Sequence, residues 1–257
     1  MVLESAAVER YGVRRSMVLA HIASACQRVG RDPSEVHLLA VSKTVAPDQL
    51  RAALAAGLTE LAENRVQEAA AKIPLVPGAR WHLIGPLQSN KARRAVELFA
   101  AIQSVDSLEL AERLDRLVRE VRGLPALGVV PAEGRLAILL QVNVDDDPTK
   151  AGFAPDELQG MLPGLLALAA LRVDGLMTIG RPVAEPAEAR PTFRRLRHLA
   201  TRLRVEQPGL GPELSMGMSA DYSVAVEEGA TIVRVGRALF GDRVARPDRE
   251  TVDGGPG

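Results

Sequence analysis

Lysine is nearly missing from this chain. Of 32 basic residues only Lys43, Lys72, Lys91 and Lys150 are lysine, and the rest are arginine. A single cysteine, Cys26, excludes an internal disulfide and a cysteine-based metal cluster. The four histidines are scattered without ligand spacing. Aromatic residues make up 3% of the chain, with Tyr11 and Tyr222 the only tyrosines. Charge of either sign is not in excess: 32 acidic residues balance the 32 basic ones, which leaves no electrostatic footprint for nucleic acid or membrane. No apolar run reaches the length of a membrane span. The start, Met1-Val2-Leu3-Glu4, lacks the basic and apolar regions of a signal peptide. These absences set the expectation of a soluble cytoplasmic protein without a protein-bound structural metal.

What is present is alternation. Residues 4–29 predict a helix, with Val8, Tyr11, Val18, Ile22 and Ala25 at helical spacing, Arg15 interrupting the stripe and Gly30 stopping it. Apolar, strand-like runs then recur at 36–43, 58–63, 81–85, 101–105, 136–143, 171–179, 213–218 and 231–236, each followed by a helix-like segment. The arginine-rich helix at about 187–204 reads as a solvated face, with Phe193, Leu196, Leu199 and Leu203 inward. Eight such units predict an α/β chain folded as a (β/α)8 barrel with an extra N-terminal helix; an open doubly wound sheet is the alternative. The expected organisation is one barrel domain over 1–246 and a disordered tail over 247–257, where the sequence turns polar and Gly/Pro-rich.

The candidate chemistry lies at the carboxyl ends of the strands, where barrels bind ligands. The first run, Val36 to Ser42, ends in Lys43, on the same strand face as His37, Leu39 and Val41. A lysine there either reaches solvent from a packed stem or, partly withdrawn from water, attacks a carbonyl. Arginine cannot substitute in that chemistry, so a lysine in an arginine-rich chain points to Lys43. The seventh run ends Ser215-Met216-Gly217-Met218-Ser219 and the eighth ends Gly236-Arg237, small residues that let backbone amides approach an anion, or ordinary turns. Arg234 shares a face with Ile232 and Gly236; an arginine pointing into a barrel needs a ligand or an interior acid such as Glu60 or Glu213. Arg234, Ser215, Gly236 and Lys43 together suit a planar ligand with a ring nitrogen, a phosphate and an aldehyde, features that pyridoxal 5'-phosphate (PLP) combines. Asn64 reads as a ring contact or a helix cap, and His82 as a ligand contact or a core histidine. Cys26 and Trp81 read as packing.

Leu39-Ala40-Val41-Ser42-Lys43, Glu63-Asn64-Arg65-Val66-Gln67-Glu68, the run Trp81 to Lys91, Gly175-Leu176-Met177-Thr178, Leu214 to Asp221 and Val233-Arg234-Val235-Gly236 resemble the PLP homeostasis proteins, in matching order from about residue 5 to about 243. That family looks like the N-terminal barrel of alanine racemase standing alone, the fold type III PLP-binding architecture. The resemblance implies that Lys43 carries PLP as a Schiff base and that Arg234 faces the pyridine nitrogen. It further implies that Asn64 lies beside the ring, and that Ser215, the amides around Met216, Gly236 and Arg237 hold the phosphate. His82 is the further candidate contact. The implied function is non-catalytic: intracellular storage, delivery or buffering of PLP (vitamin B6), with PLP-dependent apo-enzymes as partners and a monomer as the expected state.

The sequence departs from the family at Ala62, where glycine is usual, at Arg65, where an aromatic is frequent, and over 145–149. Lys150 still precedes Ala151-Gly152 and is a candidate for a second, weaker PLP contact. The alternative reading is a PLP-dependent amino-acid racemase; it needs a second base, and neither Tyr11 nor Tyr222 is an evident one. A Schiff-base aldolase using a sugar phosphate through Lys43 is the third.

Overall fold

The structure, a computed structural model, describes residues 2–125, 128 and 130–241. The expected disordered tail, 247–257, and the end of the expected domain, 242–246, lie outside the described residues.

Eight strands form one closed parallel barrel in the order of the chain. They are β1 (His37–Val41), β2 (Glu60–Glu63), β3 (Arg80–Leu83), β4 (Ala101–Val105), β5 (Leu136–Gln141), β6 (Leu171–Met177), β7 (Glu213–Met218) and β8 (Ile232–Val235). The barrel closes where β8 pairs with β1, setting Arg234 opposite Leu39. Closure removes every sheet edge, and the helices between strands cover the outer face. The helices are α1 (Val2–Arg28), α2 (Pro47–Ala55), α3 (Val66–Lys72), α4 (Ala92–Leu98), α5 (Leu108–Val121), α6 (Pro155–Leu166), α7 (Arg190–Glu206), α8 (Tyr222–Glu227) and α9 (Arg237–Phe240). The eight-unit reading and the extra N-terminal helix both agree with this architecture.

Two apolar cores follow from strand alternation. Outward-facing residues such as Ala40, Leu61, Leu83, Ile102, Ile138 and Val233 pack against the helices. Inward-facing Leu39, Val41, Ala62, Ile84, Leu139, Met177 and Ile232 form a smaller separate cluster inside the barrel. α1 buries the stripe Tyr11, Val18, Ile22 and Ala25, together with Cys26. Arg15, the interruption in that stripe, lays its guanidinium against Gly57 just past α2, where a cation meets the negative end of the helix.

The structure differs from the sequence reading at the strand ends and on α7. β1 stops at Val41, two residues before Lys43. The face of α7 is not simply solvated: Arg190, Arg194 and Arg197 converge on Glu228, at 2.8, 3.1 and 3.2 Å. Burial pushes the Glu228 carboxyl up, but hydrogen bonds from Arg190 and Arg194 outweigh it and hold the group below the usual range. Pro163 lies inside α6 without ending it.

Candidate functional site at the carboxyl end of the barrel

Lys43 sits in the tight turn that joins β1 to α2, and it is half-buried. The turn is built by partners far along the chain. Ser42 is fully buried; its amide donates to the Ala62 carbonyl at 2.9 Å and its hydroxyl donates to Glu63 Oε1 at 2.7 Å. Lys72 Nζ, from the end of α3, donates to the Ser42 carbonyl at 2.8 Å. The following residue, Thr44, has φ +67°, in the left-handed region. The Ser42 amide still continues the ladder to β2, but its carbonyl is taken by Lys72 and by the Val45 amide at 3.0 Å, and there the chain leaves the sheet.

Next to β1 on one side is β8, whose end places Gly236 against the Val41 backbone: a Cβ on Gly236 would lie 3.4 Å from the Val41 carbonyl oxygen. On the other side is β2, with Asn64 just past its end. Asn64 caps no helix; the residue before α3 is Arg65, which makes no side-chain cap. The Asn64 Oδ1 is buried and has no hydrogen-bond partner among the described residues. Gly85 is required here by close approach, because a Cβ would fall 2.2 Å from the Asn64 carbonyl oxygen. Lys43, Asn64 and Gly236 thus gather at one end of three neighbouring strands.

Inside the barrel a polar chain crosses from β8 to β3. Arg234 Nη1 donates to Ser215 Oγ at 2.7 Å, and Nη2 donates to the Thr178 carbonyl at 2.8 Å. Ser215 Oγ in turn donates to Gln103 Oε1 at 2.6 Å, and Gln103 Nε2 donates to His82 Nδ1 at 3.1 Å. Arginine has donors only, so it sets the direction of the whole chain. The acids named from the sequence as partners for Arg234 face other groups: Glu60 lies 3.8 Å from Arg80, and Glu213 accepts from Thr231. No carboxylate is among the described hydrogen-bond partners of Arg234. Burial pulls this guanidinium down to about 10, with Asp221 opposing the shift, so it remains charged at neutral pH. Ser215 is therefore buried between Gln103 and Arg234, and Met216 turns its side chain into the outer core.

Burial, and then the charges of Arg80 and His37, push His82 down to about 4 from 6.5. The folded protein keeps His82 neutral in the interval where the unfolded chain takes up a proton. Its contribution to stability is complete above pH 6.5 and falls as the pH drops toward 4, by about 3 kcal/mol at 1.36 kcal/mol per unit. His82→Gln keeps an acceptor for Gln103 and removes the titration. Urea unfolding at pH 7 and pH 4.5 is expected to show the wild type losing about 2–3 kcal/mol more than the variant; parallel losses would contradict this placement of His82.

Above the polar chain lie the loops after β7 and β8. Gly217, next to last in β7 at φ +88°, has no room for a Cβ, which would meet the Ala225 Cβ at 2.5 Å; α8 packs directly against this strand end. Asp221 accepts the Met218 amide at 2.6 Å, and Ser219 Oγ accepts the Gly236 amide at 3.1 Å. The two loops are thereby tied together, and the first amides of α9, those of Arg237 and Ala238, are not consumed by the helix. The Arg237 side chain is exposed.

Lys150 stands in the loop after β5, its Nζ donating to the Ile179 carbonyl at 3.1 Å and lying 3.7 Å from Asp147. Both tyrosines belong to the outer shell. Tyr11 packs edge-on against Phe240, and the Tyr222 hydroxyl pairs with His21 Nδ1 at 2.9 Å. Sequence reasoning passed over Gln103, Thr178 and the Glu63–Lys72–Glu68 group. Gln103, a lone amide in the short strand Ala101-Ile102-Gln103-Ser104-Val105, was a visible signal; Lys72, one of four lysines, was another.

Comparison with known proteins bears on the fold and the family. Residues 16–244 match the family model of the alanine racemase N-terminal domain. The pyridoxal phosphate homeostasis protein of Pseudomonas aeruginosa is 45% identical over 232 residues, covering 88% of this chain and 93% of the relative. PipY of Synechococcus elongatus, in a structure with PLP bound, is 43% identical with a TM-score of 0.72, covering 86% of this chain and all (100%) of that one. Alanine racemase of Clostridium difficile shares the fold at 14% identity and a TM-score of 0.64, with 88% of this chain covered and 60% of the racemase. The chain belongs to the pyridoxal phosphate homeostasis protein family.

Proposed function

We propose that this chain holds PLP at the mouth of the barrel and serves PLP homeostasis without catalysing a reaction of its own. The observation that carries the reading is Arg234, a fully buried guanidinium with no carboxylate among its described hydrogen-bond partners. A buried cation of this kind calls for an acceptor from a ligand. The orphaned Asn64 Oδ1 and the glycine-lined ends of β7 and β8 fit the same planar, phosphorylated molecule.

Lys43 supplies the covalent anchor. Bound PLP supplies an aldehyde that condenses with the Lys43 amine with loss of water. Arg234 donates to the pyridine nitrogen and, having no acceptor, keeps a proton off it. Asn64 borders the ring. Amides around Met216 and Gly217 at the end of β7, with the amide of Arg237 at the start of α9, hold the phosphate; the Gly236 amide is taken by Ser219 Oγ, and Gly236 serves by leaving room beside Val41. Ser215, Gln103 and His82 brace Arg234 from behind.

One feature favours a carrier over a racemase: neither tyrosine is placed as the second base a racemase needs, since Tyr11 and Tyr222 are engaged in outer packing. An unprotonated ring is a weak electron sink, but an arginine at the ring nitrogen does not by itself separate the two readings. The same reading makes the protein a monomeric cytoplasmic buffer that supplies PLP to apo-enzymes; among the described residues no helix is long and apolar enough to cross a membrane. Spectrophotometric titration of the ligand-free protein with PLP tests it. Saturation at one equivalent per chain, with no racemisation or decarboxylation of any common amino acid by the loaded protein, is expected. Turnover of an amino acid would overturn the non-catalytic reading.

A further inference from the structure

The backbone on both sides of Lys43 is held by one buried charge cluster. Lys72 Nζ donates to three acceptors: the Ser42 carbonyl at 2.8 Å, Glu63 Oε1 at 2.7 Å and Glu68 Oε1 at 2.7 Å. Glu68 Oε1 also accepts the Thr44 amide at 2.7 Å. Ser42 and Glu63 are completely buried, and Lys72 nearly so. The cluster therefore grips the carbonyl before Lys43 and the amide after it, from α3 and β2.

Its target is a strained turn. Thr44 is β-branched and sits at φ +67°, a conformation glycine adopts without cost and threonine avoids. Thr44 is exposed, so core packing does not force the geometry. A buried lysine bound only to side chains would be ordinary packing of charges; this one also takes the Ser42 carbonyl, while its partner Glu68 takes the Thr44 amide, so the pair engages the main chain on both sides of a single lysine. Strain retained at such a point is a mark of pre-organisation.

We propose that Glu68 and Lys72 are positioning residues for Lys43, holding the Ser42–Thr44 turn in the backbone conformation from which the Lys43 amine meets the cofactor aldehyde. The inference rests on the reading that Lys43 anchors PLP. It predicts a defect in attachment and not in the ring and phosphate cradle, which lies on β2, β7 and β8.

Three readouts separate these. The first is the rate at which PLP becomes fixable to the protein by borohydride. The second is affinity for pyridoxine 5'-phosphate, which has the ring and phosphate but no aldehyde. The third is hydrogen exchange at the Thr44 amide in the ligand-free protein. In Glu68→Ala, which leaves the buried Lys72–Glu63 pair intact, fixation is expected to slow by about tenfold or more while pyridoxine phosphate affinity stays within roughly threefold. The Thr44 amide is expected to lose protection. Lys72→Met is expected to act in the same direction. Adding Thr44→Gly to Glu68→Ala should restore fixation to within roughly threefold of wild type, because glycine needs no cluster to hold φ +67°. Fixation at the wild-type rate in Glu68→Ala, a parallel fall in pyridoxine phosphate affinity, or failure of the glycine to restore fixation would each overturn the positioning role. A wild-type chain fixed at a residue other than Lys43 would overturn the reading of the site itself, an outcome distinct from normal wild-type fixation with an unaffected variant.

Discussion

Lys43→Ala is expected to abolish covalent retention of PLP, leaving borohydride-fixed cofactor below about 1% of wild type. The variant removes the amine; nothing nearby can replace it. Lys72 is consumed by three acceptors within its own cluster. Lys150 is bound to the Ile179 carbonyl beside Asp147, and Lys91 closes the short 3-10 turn at 89–91, before α4. Lys43→Arg is expected to fail equally, since a guanidinium does not condense with an aldehyde at neutral pH. Weak, reversible PLP binding through Arg234 and the phosphate loops should survive in both. Equilibrium dialysis, with and without borohydride, reads the two kinds of binding separately.

Arg234→Met is expected to change stability and affinity in opposite directions. Burial lowers this guanidinium to about 10 from 12.5, which corresponds to about 3 kcal/mol of destabilisation of the charged form in the fold. Methionine of similar length removes that cost. It also strips the Thr178 carbonyl of a donor, while Ser215 keeps Gln103, so about 1–2 kcal/mol is given back. The ligand-free variant is therefore expected to gain about 1 kcal/mol, a rise in Tm of roughly 2–4 °C for a chain of this size. PLP affinity is expected to fall about 10- to 100-fold, the worth of a charge-assisted hydrogen bond. A variant that lost stability while keeping affinity would mean that Arg234 is a structural cation.

The barrel was legible because its signal is local. Each strand is an apolar run of four to seven residues bounded by punctuation such as Gly57 or Gly229, and eight repetitions leave little freedom in topology. Strand ends were less legible because groups off the strand share in deciding them: the chain leaves the sheet after β1 where Lys72, about 30 residues on, and the Val45 amide take the Ser42 carbonyl. The site was half legible. Lys43 and Arg234 stood out as charges on apolar strands. The interior partners of Arg234 did not, because which of Ser215, Gln103 and Thr178 meet inside the barrel depends on register between strands that a single run cannot show. Ser215 reads along the chain as part of a small-residue phosphate loop; in three dimensions its hydroxyl is engaged by Arg234 and Gln103. The Glu63–Lys72–Glu68 cluster was hidden for the same reason, since it joins α3 to the ends of two strands.

The central claim is that Lys43 is the residue that carries PLP. Borohydride reduction of the PLP-loaded protein, followed by proteolysis and mass mapping of the labelled peptide, tests it most directly. The expected result is one label per chain on Lys43; a label on Lys72, Lys91 or Lys150, or none at all, would contradict the account.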